Sequence, residues 1–434
     1  MARWINEVKA GAALSLLALL CVAAPGHAQS SAYGCEGLVD SDALPAVEGD
    51  GGMFYRVDPD LMMVQGLTDG NVMQIAALSE ALASQGVTLV YLPIPSKALG
   101  QPWQLPPMAR YLGFDIDVAT TVHDLGLQAL ERAGVAVVDA RAALASASLV
   151  EPAYFGPDPR LTPHGARALA QAIAAQVTTR LSLPGAAFPV IAGEAVQIDS
   201  AMRLDLQESC GSTLPHPIAL RIMSADDKAP GALLDGDTAR IALVGTEMTG
   251  EPVTNLPALL QEASGLSVAV YSAPGGGPFA ALSSYLTSDA YRVFKPDVLV
   301  WEHPVWENLA QTGDQPIREV IAAASGACTV SVPMMASGNR APLEADLTRL
   351  PETPDMLLID ADGIPGAVHV AFMDERGLRR VRHVYRNEDA HLTGRFYVPL
   401  SGLAESGATS IEITFDGRPG PDARLFACLP GEVN

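Results

Sequence analysis

The chain has 434 residues, of which 49% are hydrophobic and 18% are charged, and its formal net charge is −22. Its length allows one large domain and one smaller domain, and its apolar content excludes a largely disordered chain. The excess of carboxylates argues against general nucleic-acid binding, because phosphate contacts require clustered lysines and arginines. We therefore expect a globular protein that does not bind nucleic acid.

The first 28 residues have the pattern of a secretory signal peptide. Arg3 and Lys9 form a positive start, the apolar run GAALSLLALLCVAA follows, and small residues precede Gln29. The apolar run is too short to cross a bilayer comfortably, and an uncleaved anchor is the less favoured alternative. We therefore predict that residues 1–28 are removed, and that the mature protein is periplasmic and has no membrane span.

Four cysteines would remain after cleavage, namely Cys35, Cys210, Cys328 and Cys428. An even number in an exported protein favours two disulfides, although four cysteines allow three pairings. Their positions favour Cys35–Cys210 in the first domain and Cys328–Cys428 at the two ends of the second. Metal binding is the weaker interpretation, because the sequence contains no CxxC pair.

Strand-like apolar runs alternate with helical patterns in the first 325 residues. The runs are Val87–Pro95, Val135–Ala140, Ile241–Gly245, Ser267–Pro274 and Asp297–Pro304. Such runs are typical of strands buried on both faces of a parallel sheet. Between them lie helical stretches, one of which has Thr162 as its N-cap and Pro163 in its first turn. The alternation predicts a doubly wound α/β domain over residues 29–325.

The sequence pattern changes after residue 325. Short β-rich runs such as GAVHVAFMD, RRVRHVYR and TSIEITFDG are separated by Gly, Pro, Asp and Asn, and helical periodicity is weak. This pattern predicts a compact antiparallel β-sandwich over residues 326–434.

Three short motifs mark the ends of strands or the start of a helix. DPRLTPHGA contains Asp158, LVGTE ends at Glu247, and VWEHP ends at Pro304. The residue just past a strand in an α/β enzyme often carries a nucleophile, because the turn lifts it out at the carboxyl end of the sheet. Glu247 therefore occupies a position of chemical interest.

Together with GGGP at residues 275–278, these motifs make the chain similar to the alginate O-acetyltransferase family of the AlgX/AlgJ type. The resemblance implies an SGNH-hydrolase-like α/β domain, a C-terminal β-sandwich that resembles a carbohydrate-binding module, and acyl transfer to a polysaccharide hydroxyl by a Ser-His-Asp triad. It also implies two kinds of partner, an anionic polysaccharide such as alginate and other exopolysaccharide assembly or acetylation proteins.

The triad positions of the family are degenerate in this chain. Asp158 is retained, but Arg160 stands at the histidine position and Glu247 at the serine position. Arginine stays protonated at physiological pH and cannot take the proton of a nucleophile. We therefore expect an inactive, polysaccharide-binding family member. The alternatives are an active O-acetyltransferase or acetylesterase that uses rearranged residues, and a scaffold for another secreted protein.

The two substituted positions carry opposite charges. Because serine and histidine face each other in the family's site, we predict an Arg160–Glu247 ion pair with Asp158 on the other edge of the guanidinium. His164 lies one helical turn after Arg160, and we expect it to face solvent rather than replace the base. No histidine pair has zinc-ligand spacing, so we expect neither a catalytic metal nor a cofactor.

A basic segment lies in the second domain. Strand alternation in RRVRHVYR puts Arg380, Arg382 and Arg386 on one face, opposite Val381, His383 and Tyr385. With Arg395, these arginines could bind the carboxylates of a uronic-acid polymer bidentately. The alternative is a solvated face whose arginines pair with Asp374, Glu375, Glu388 and Asp389, and the family resemblance favours polysaccharide binding.

Overall fold

A computed structural model describes residues 31–63, 66–180, 186–225, 240–326, 328–336, 342–386, 390–400 and 408–429. The predicted signal peptide, residues 1–28, lies outside the described residues. Within those ranges, no helix combines the length and the apolar character that a membrane crossing requires.

The helices are α1 Asp69–Ser84, α2 Lys97–Gly100, α3 Met108–Tyr111, α4 Ile116–Arg132, α5 Ala140–Ala147, α6 Pro163–Arg180, α7 Ala201–Gln207, α8 Glu247–Gly250, α9 Leu256–Ser264, α10 Ala280–Leu286, α11 Asp289–Val293 and α12 Gln315–Ser325. The strands are β1 Ala46–Glu48, β2 Phe54–Arg56, β3 Thr88–Ile94, β4 Ala136–Val137, β5 Val190–Gln197, β6 Ile218–Ser224, β7 Ile241–Gly245, β8 Val268–Ser272, β9 Val298–Pro304, β10 Val330–Val332, β11 Met334–Ala336, β12 Leu343–Asp346, β13 Met356–Asp360, β14 Ala367–Asp374, β15 Arg379–Tyr385, β16 Arg395–Pro399, β17 Ala408–Phe415 and β18 Arg424–Cys428.

A five-stranded parallel sheet with the order β4-β3-β9-β7-β8 forms the centre of the first domain. Strands β7 and β9 are buried along their whole length, as expected for strands covered on both faces. Helices α1, α4, α10 and α12 contribute to the core on one face, and α5, α6 and α9 contribute to the core on the other. The predicted doubly wound sheet is therefore confirmed.

The second domain is a β-sandwich. A four-stranded sheet, β10-β18-β13-β16, packs against a five-stranded antiparallel sheet, β11-β12-β17-β14-β15. Its core contains Ile359, Phe372, Phe396, Ile411 and further buried aliphatic side chains of both sheets. The predicted antiparallel sandwich is confirmed. The short antiparallel pairs β1-β2 and β5-β6 of the first domain were not predicted from the sequence.

Both predicted disulfides are present. Cys35–Cys210 joins segments 175 residues apart in the first domain, and Cys328–Cys428 joins segments 100 residues apart at the two ends of the sandwich. Cys328 and Cys428 also belong to the main core of the α/β domain. The second disulfide therefore lies where the sandwich meets the first domain.

Two arginines predicted to bind polysaccharide lie between the domains instead. Arg386 pairs with Glu319 of α12, and both side chains are more than nine-tenths buried. Arg395 donates to the Thr287 carbonyl at 2.9 Å and to Asp289 at 2.8 Å. The prediction that Arg386 and Arg395 belong to an exposed binding row is therefore wrong, because both guanidinium groups connect the sandwich to the α/β domain.

Candidate functional site

The three residues predicted to stand at the family's triad positions lie at the carboxyl end of the parallel sheet. Glu247 begins α8 directly after β7, and Asp158 and Arg160 lie in the turn that precedes α6. A backbone bridge between Tyr154 and Leu161 closes this turn, and the Phe155 amide donates to the Arg160 carbonyl at 3.1 Å. Residues distant in sequence are thus brought to one edge of the sheet.

Arg160 is held by two carboxylates. Its Nε and Nη2 atoms donate to the two oxygens of Asp158 at 2.9 and 2.8 Å, and its Nη1 donates to Glu251 at 3.2 Å. The Asp158 side chain is 2% exposed and the Arg160 side chain 24% exposed. Hydrogen bonding to Asp158, reinforced by the charge of Glu251, raises the pKa of Arg160. The guanidinium therefore remains a cation and cannot serve as a general base.

The predicted Arg160–Glu247 pair is wrong, although the predicted contact of Asp158 with the guanidinium is confirmed. Glu247 is exposed at the first position of α8. Glu251, four residues later, follows the end of that helix, and its Oε1 accepts from the Val253 amide at 2.9 Å. This turn fixes Glu251 beside Arg160. The segment LVGTEMTGE contains both glutamates, and the sequence alone did not show which of them contacts Arg160.

A buried glutamate below the β7 turn was missed by the sequence analysis. Glu302, in the VWEHP motif on β9, accepts from the Thr246 amide at 2.7 Å and from the Thr249 hydroxyl at 2.9 Å. Burial raises the pKa of Glu302 to about 7. A Cβ at Gly245 would lie 2.2 Å from Glu302 Oε2, so the glycine is required by this close approach. The signal was a glutamate inside an otherwise apolar strand.

Replacing Glu302 with glutamine is expected to change the pH dependence of stability. The folded-state pKa is about 7, whereas an unfolded glutamate titrates near 4.3. The favourable contribution of this group is therefore complete below about pH 4.3 and is lost as pH rises through about 7, a total of about 4 kcal/mol. The free energy of unfolding of Glu302→Gln, relative to that of wild type, should therefore rise by about this amount between about pH 4 and about pH 8.

Urea unfolding of wild type and Glu302→Gln at several pH values measures this difference. The subtraction cancels other titrating groups, including His303, whose pKa is lowered to about 4 by burial. A difference in the free energy of unfolding that does not change with pH would contradict the assignment.

Lys97 organises the loop that carries Asp158 and was also missed. Its Nζ donates to the carbonyls of Phe155 at 2.6 Å, Gly156 at 2.7 Å and Asp158 at 3.1 Å. Burial lowers the pKa of this amine to about 7, against the opposing charges of Asp60 and Asp158. The signal in the sequence was a lysine within the apolar segment PIPSKALGQ.

Two histidines near this end of the sheet have partners outside the Arg160 cluster. His303 is buried, donates from Nδ1 to the Pro304 carbonyl at 2.8 Å, and contacts the Tyr91 hydroxyl through Nε2. His164 is half-buried and contacts the Ala147 carbonyl at 3.1 Å, rather than facing solvent alone. In the described ranges, no group of three or more His, Cys, Asp or Glu side chains is arranged to hold a metal ion.

The structure divides the predicted arginine row. Arg380 is exposed and Arg382 is half-buried on β15, which forms one edge of the five-stranded sheet. Their neighbours Arg376 and Arg379 pair with Asp374 at 2.9 Å and Glu412 at 3.4 Å. Only Arg380 and Arg382 of the four predicted arginines therefore remain on the strand that was expected to bind polysaccharide.

The doubly wound sheet, with Asp158, Arg160 and Glu247 at its carboxyl end, has the architecture of an SGNH-hydrolase-like domain. The family described as "SGNH hydrolase-like domain, acetyltransferase AlgX" matches residues 48–305, which is more than half of the chain. The chain therefore belongs to this family, and the resemblance to AlgX/AlgJ-type proteins is confirmed.

Similar proteins include the alginate biosynthesis protein AlgX of Pseudomonas aeruginosa, which is 29% identical over 316 residues, or 69% of this chain and 64% of the relative. The probable alginate O-acetylase AlgJ of Pseudomonas putida is 31% identical over 252 residues, or 55% of this chain and 63% of the relative. The chain thus spans just under two thirds of the length of these two curated relatives.

Two solved structures share the fold. The Pseudomonas aeruginosa AlgX structure aligns with a TM-score of 0.71 at 19% identity and covers 89% of this chain and 94% of its own. The O-acetyltransferase domain of Pseudomonas putida AlgJ aligns with a TM-score of 0.51 at 22% identity and covers 65% of this chain and 99% of its own. The AlgX alignment thus extends the structural likeness over most of the chain.

Proposed function

We propose that this chain is a periplasmic protein of alginate-like exopolysaccharide biosynthesis or acetylation that binds the anionic polymer and does not transfer acetyl groups through a serine triad. The observation that carries the proposal is the ion-pair cluster of Arg160, Asp158 and Glu251, which includes the two residues that the family resemblance assigns to the triad's acid and base. The names of the relatives, alginate biosynthesis protein and alginate O-acetylase, support the substrate class.

The chemistry of the sheet edge supports the inactive assignment. A nucleophilic hydroxyl needs a neighbouring base that an acid orients. The Thr246 and Thr249 hydroxyls donate to Glu302 below the surface, and the Ser272 hydroxyl donates to the Thr246 carbonyl at 2.6 Å. Acyl transfer through the exposed Glu247 carboxylate would pass through a reactive mixed anhydride. An active enzyme with rearranged residues therefore has less support than a binding protein.

Polysaccharide binding is assigned to Arg380 and Arg382 on the sandwich. A guanidinium binds a carboxylate through two parallel hydrogen bonds, which suits the repeated carboxylates of a uronic-acid polymer. The net charge of −22 would repel such a polymer elsewhere on the surface. Local arginines would offset this repulsion. Other exopolysaccharide assembly or acetylation proteins are the further partners that we propose, and export by residues 1–28 would bring the chain to them.

Parallel measurements of polyuronate binding and acetyl-ester hydrolysis test the proposal. Wild type should bind the polymer with an affinity that falls at high salt. It should hydrolyse a chromogenic acetyl ester no faster than buffer alone does. Replacing both Arg380 and Arg382 with serine should weaken binding by at least about tenfold, since hydrogen bonds to charged groups contribute about 1.5–3 kcal/mol each. The matched control is Arg349→Ser, whose side chain is 86% exposed.

The two assays separate the alternatives. Ester turnover by wild type that is lost in Asp158→Asn would establish an active enzyme and overturn the proposal. Neither binding nor turnover would favour a protein scaffold. A gain of turnover in the Arg160→His, Glu247→Ser double variant would support the view that the acetyltransferase site is blocked.

A further inference from the structure

Two histidines of the sandwich face each other on neighbouring strands. His369 of β14 lies directly opposite His383 of β15 in the antiparallel register. Their ring centroids are 4.4 Å apart with planes at 82°, and their Nδ1 atoms are in contact. His383 is exposed and His369 is half-buried. Fourteen residues separate them in sequence, so strand pairing alone brings the two nitrogens together.

We propose that His369 and His383 form a surface site for a divalent transition metal, and that the site binds Cu²⁺ most tightly. Neutral imidazole binds such ions through either ring nitrogen, and the affinity of nitrogen sites rises to Cu²⁺ in the first-row series. For the two Nδ1 atoms to form a hydrogen bond, one Nδ1 carries a proton and donates the bond, and the other Nδ1 accepts it. When the metal binds both Nδ1 atoms, that proton moves to Nε2 of the same ring, and the two rings together lose no proton.

The surroundings of the pair favour a cation. Residues two apart on a strand share a face, and the residue opposite another on the next strand lies on the same side. Glu412 pairs in register with Ala371, two positions from His369, and Glu344 pairs with Glu412, so both carboxylates lie on the face of the histidine pair. Because Arg379 pairs with Glu412 at 3.4 Å, the charge of Glu412 is already partly balanced, and the exposed Glu344 is the second acidic group on this face. The strongly negative net charge further raises the local concentration of cations.

The site supplies two protein ligands and leaves the other coordination positions open. In the described part of the chain, no third His, Cys, Asp or Glu completes a metal cluster. The Tyr385 ring is parallel to the His383 ring, at 7° and 6.2 Å, and stands edge-on to the His369 ring at 5.8 Å, so it borders the pair. Water or the carboxylate of an external ligand would fill the remaining positions, which makes the bound ion exchangeable.

Titration of the untagged, metal-free protein with Cu²⁺ in a non-coordinating buffer near neutral pH tests the site. We expect one equivalent to bind, with nitrogen hyperfine coupling from two imidazoles in the electron paramagnetic resonance spectrum. His369→Ala and His383→Ala should each weaken binding by at least about tenfold, because each removes one of only two protein ligands. His391→Ala is the matched control, since His391 is an exposed histidine of the same domain.

Equal Cu²⁺ affinity in wild type and both site variants would overturn the proposal, as would loss of the nitrogen coupling in His391→Ala. Melting each variant in the presence of a chelator separates loss of the site from loss of the fold, and the three melting temperatures should agree. His383→Gln keeps the size and polarity of the exposed side chain, and it should show the same loss of affinity as His383→Ala.

Discussion

Replacing Arg160 with alanine should lower the free energy of unfolding by about 3–5 kcal/mol, the range typical when one partner of a buried ion pair is removed. Asp158 is almost completely buried and receives two side-chain hydrogen bonds from the guanidinium. After the substitution, the carboxylate would keep the backbone amide of residue 160 as a donor but lose its counter-ion. Urea unfolding of wild type and variant measures the difference.

Glu247→Ala is the matched control for this experiment. Its side chain is exposed, and surface substitutions away from structural contacts usually change stability by less than about 0.5 kcal/mol. Glu251→Ala should fall between the two, because it removes one of the contacts of Arg160 but leaves the Asp158 pair intact. A loss in Glu247→Ala equal to that in Arg160→Ala would restore the pair predicted from the sequence and contradict the structure.

The alternation of buried strands and helices was enough to predict the parallel sheet, because strands covered on both faces must be apolar throughout. The change to short strands separated by turn residues likewise predicted the sandwich. Both features are local properties of the sequence. The disulfides were predicted from the number and order of the cysteines, and both predicted pairings formed.

The contacts of Arg160 could not be predicted, because a choice between two glutamates depends on how one short helix ends. Glu247 and Glu251 lie four residues apart, and only the turn after Gly250 decides which carboxylate reaches the guanidinium. The resemblance to a family motif predicts that Glu247 stands at the serine position. The resemblance does not identify Glu251 as the second carboxylate that contacts Arg160.

The prediction that Arg386 belongs to the arginine row failed for a different reason. Alternation along β15 correctly separated Arg380 and Arg382 from His383 and Tyr385, but it says nothing about what lies beyond the end of the strand. β15 ends at Tyr385, and the next residue, Arg386, extends to α12 of the other domain. Strand register is equally absent from the sequence, and for that reason the facing of His369 and His383 was not foreseen.

Breaking the Arg386–Glu319 pair from one side should destabilise the protein, while replacing both residues should not. Arg386 Nη1 donates to Glu319 at 2.9 Å, and its Nη2 also donates to the Arg395 carbonyl at 2.7 Å. The two side chains are 6% and 2% exposed. Either Arg386→Met or Glu319→Leu leaves an uncompensated buried charge, at an expected cost of about 3–5 kcal/mol.

In the wild type, Arg386 Cζ lies 4.8 Å from the centroid of the Phe396 ring. The double variant Arg386→Met, Glu319→Leu places two apolar side chains in this space. Replacing a buried ion pair with apolar residues of similar volume is often neutral or stabilising, so the double variant should be more stable than either single variant.

Unfolding followed by both tryptophan fluorescence and circular dichroism measures this coupling and reveals whether the domains separate. The exposed pair Arg349–Asp346 is the matched control, with an expected contribution of about 0–1 kcal/mol. Strictly additive losses in the Arg386–Glu319 cycle would show that the two charges act independently, and the pair would then not be what holds the sandwich against α12.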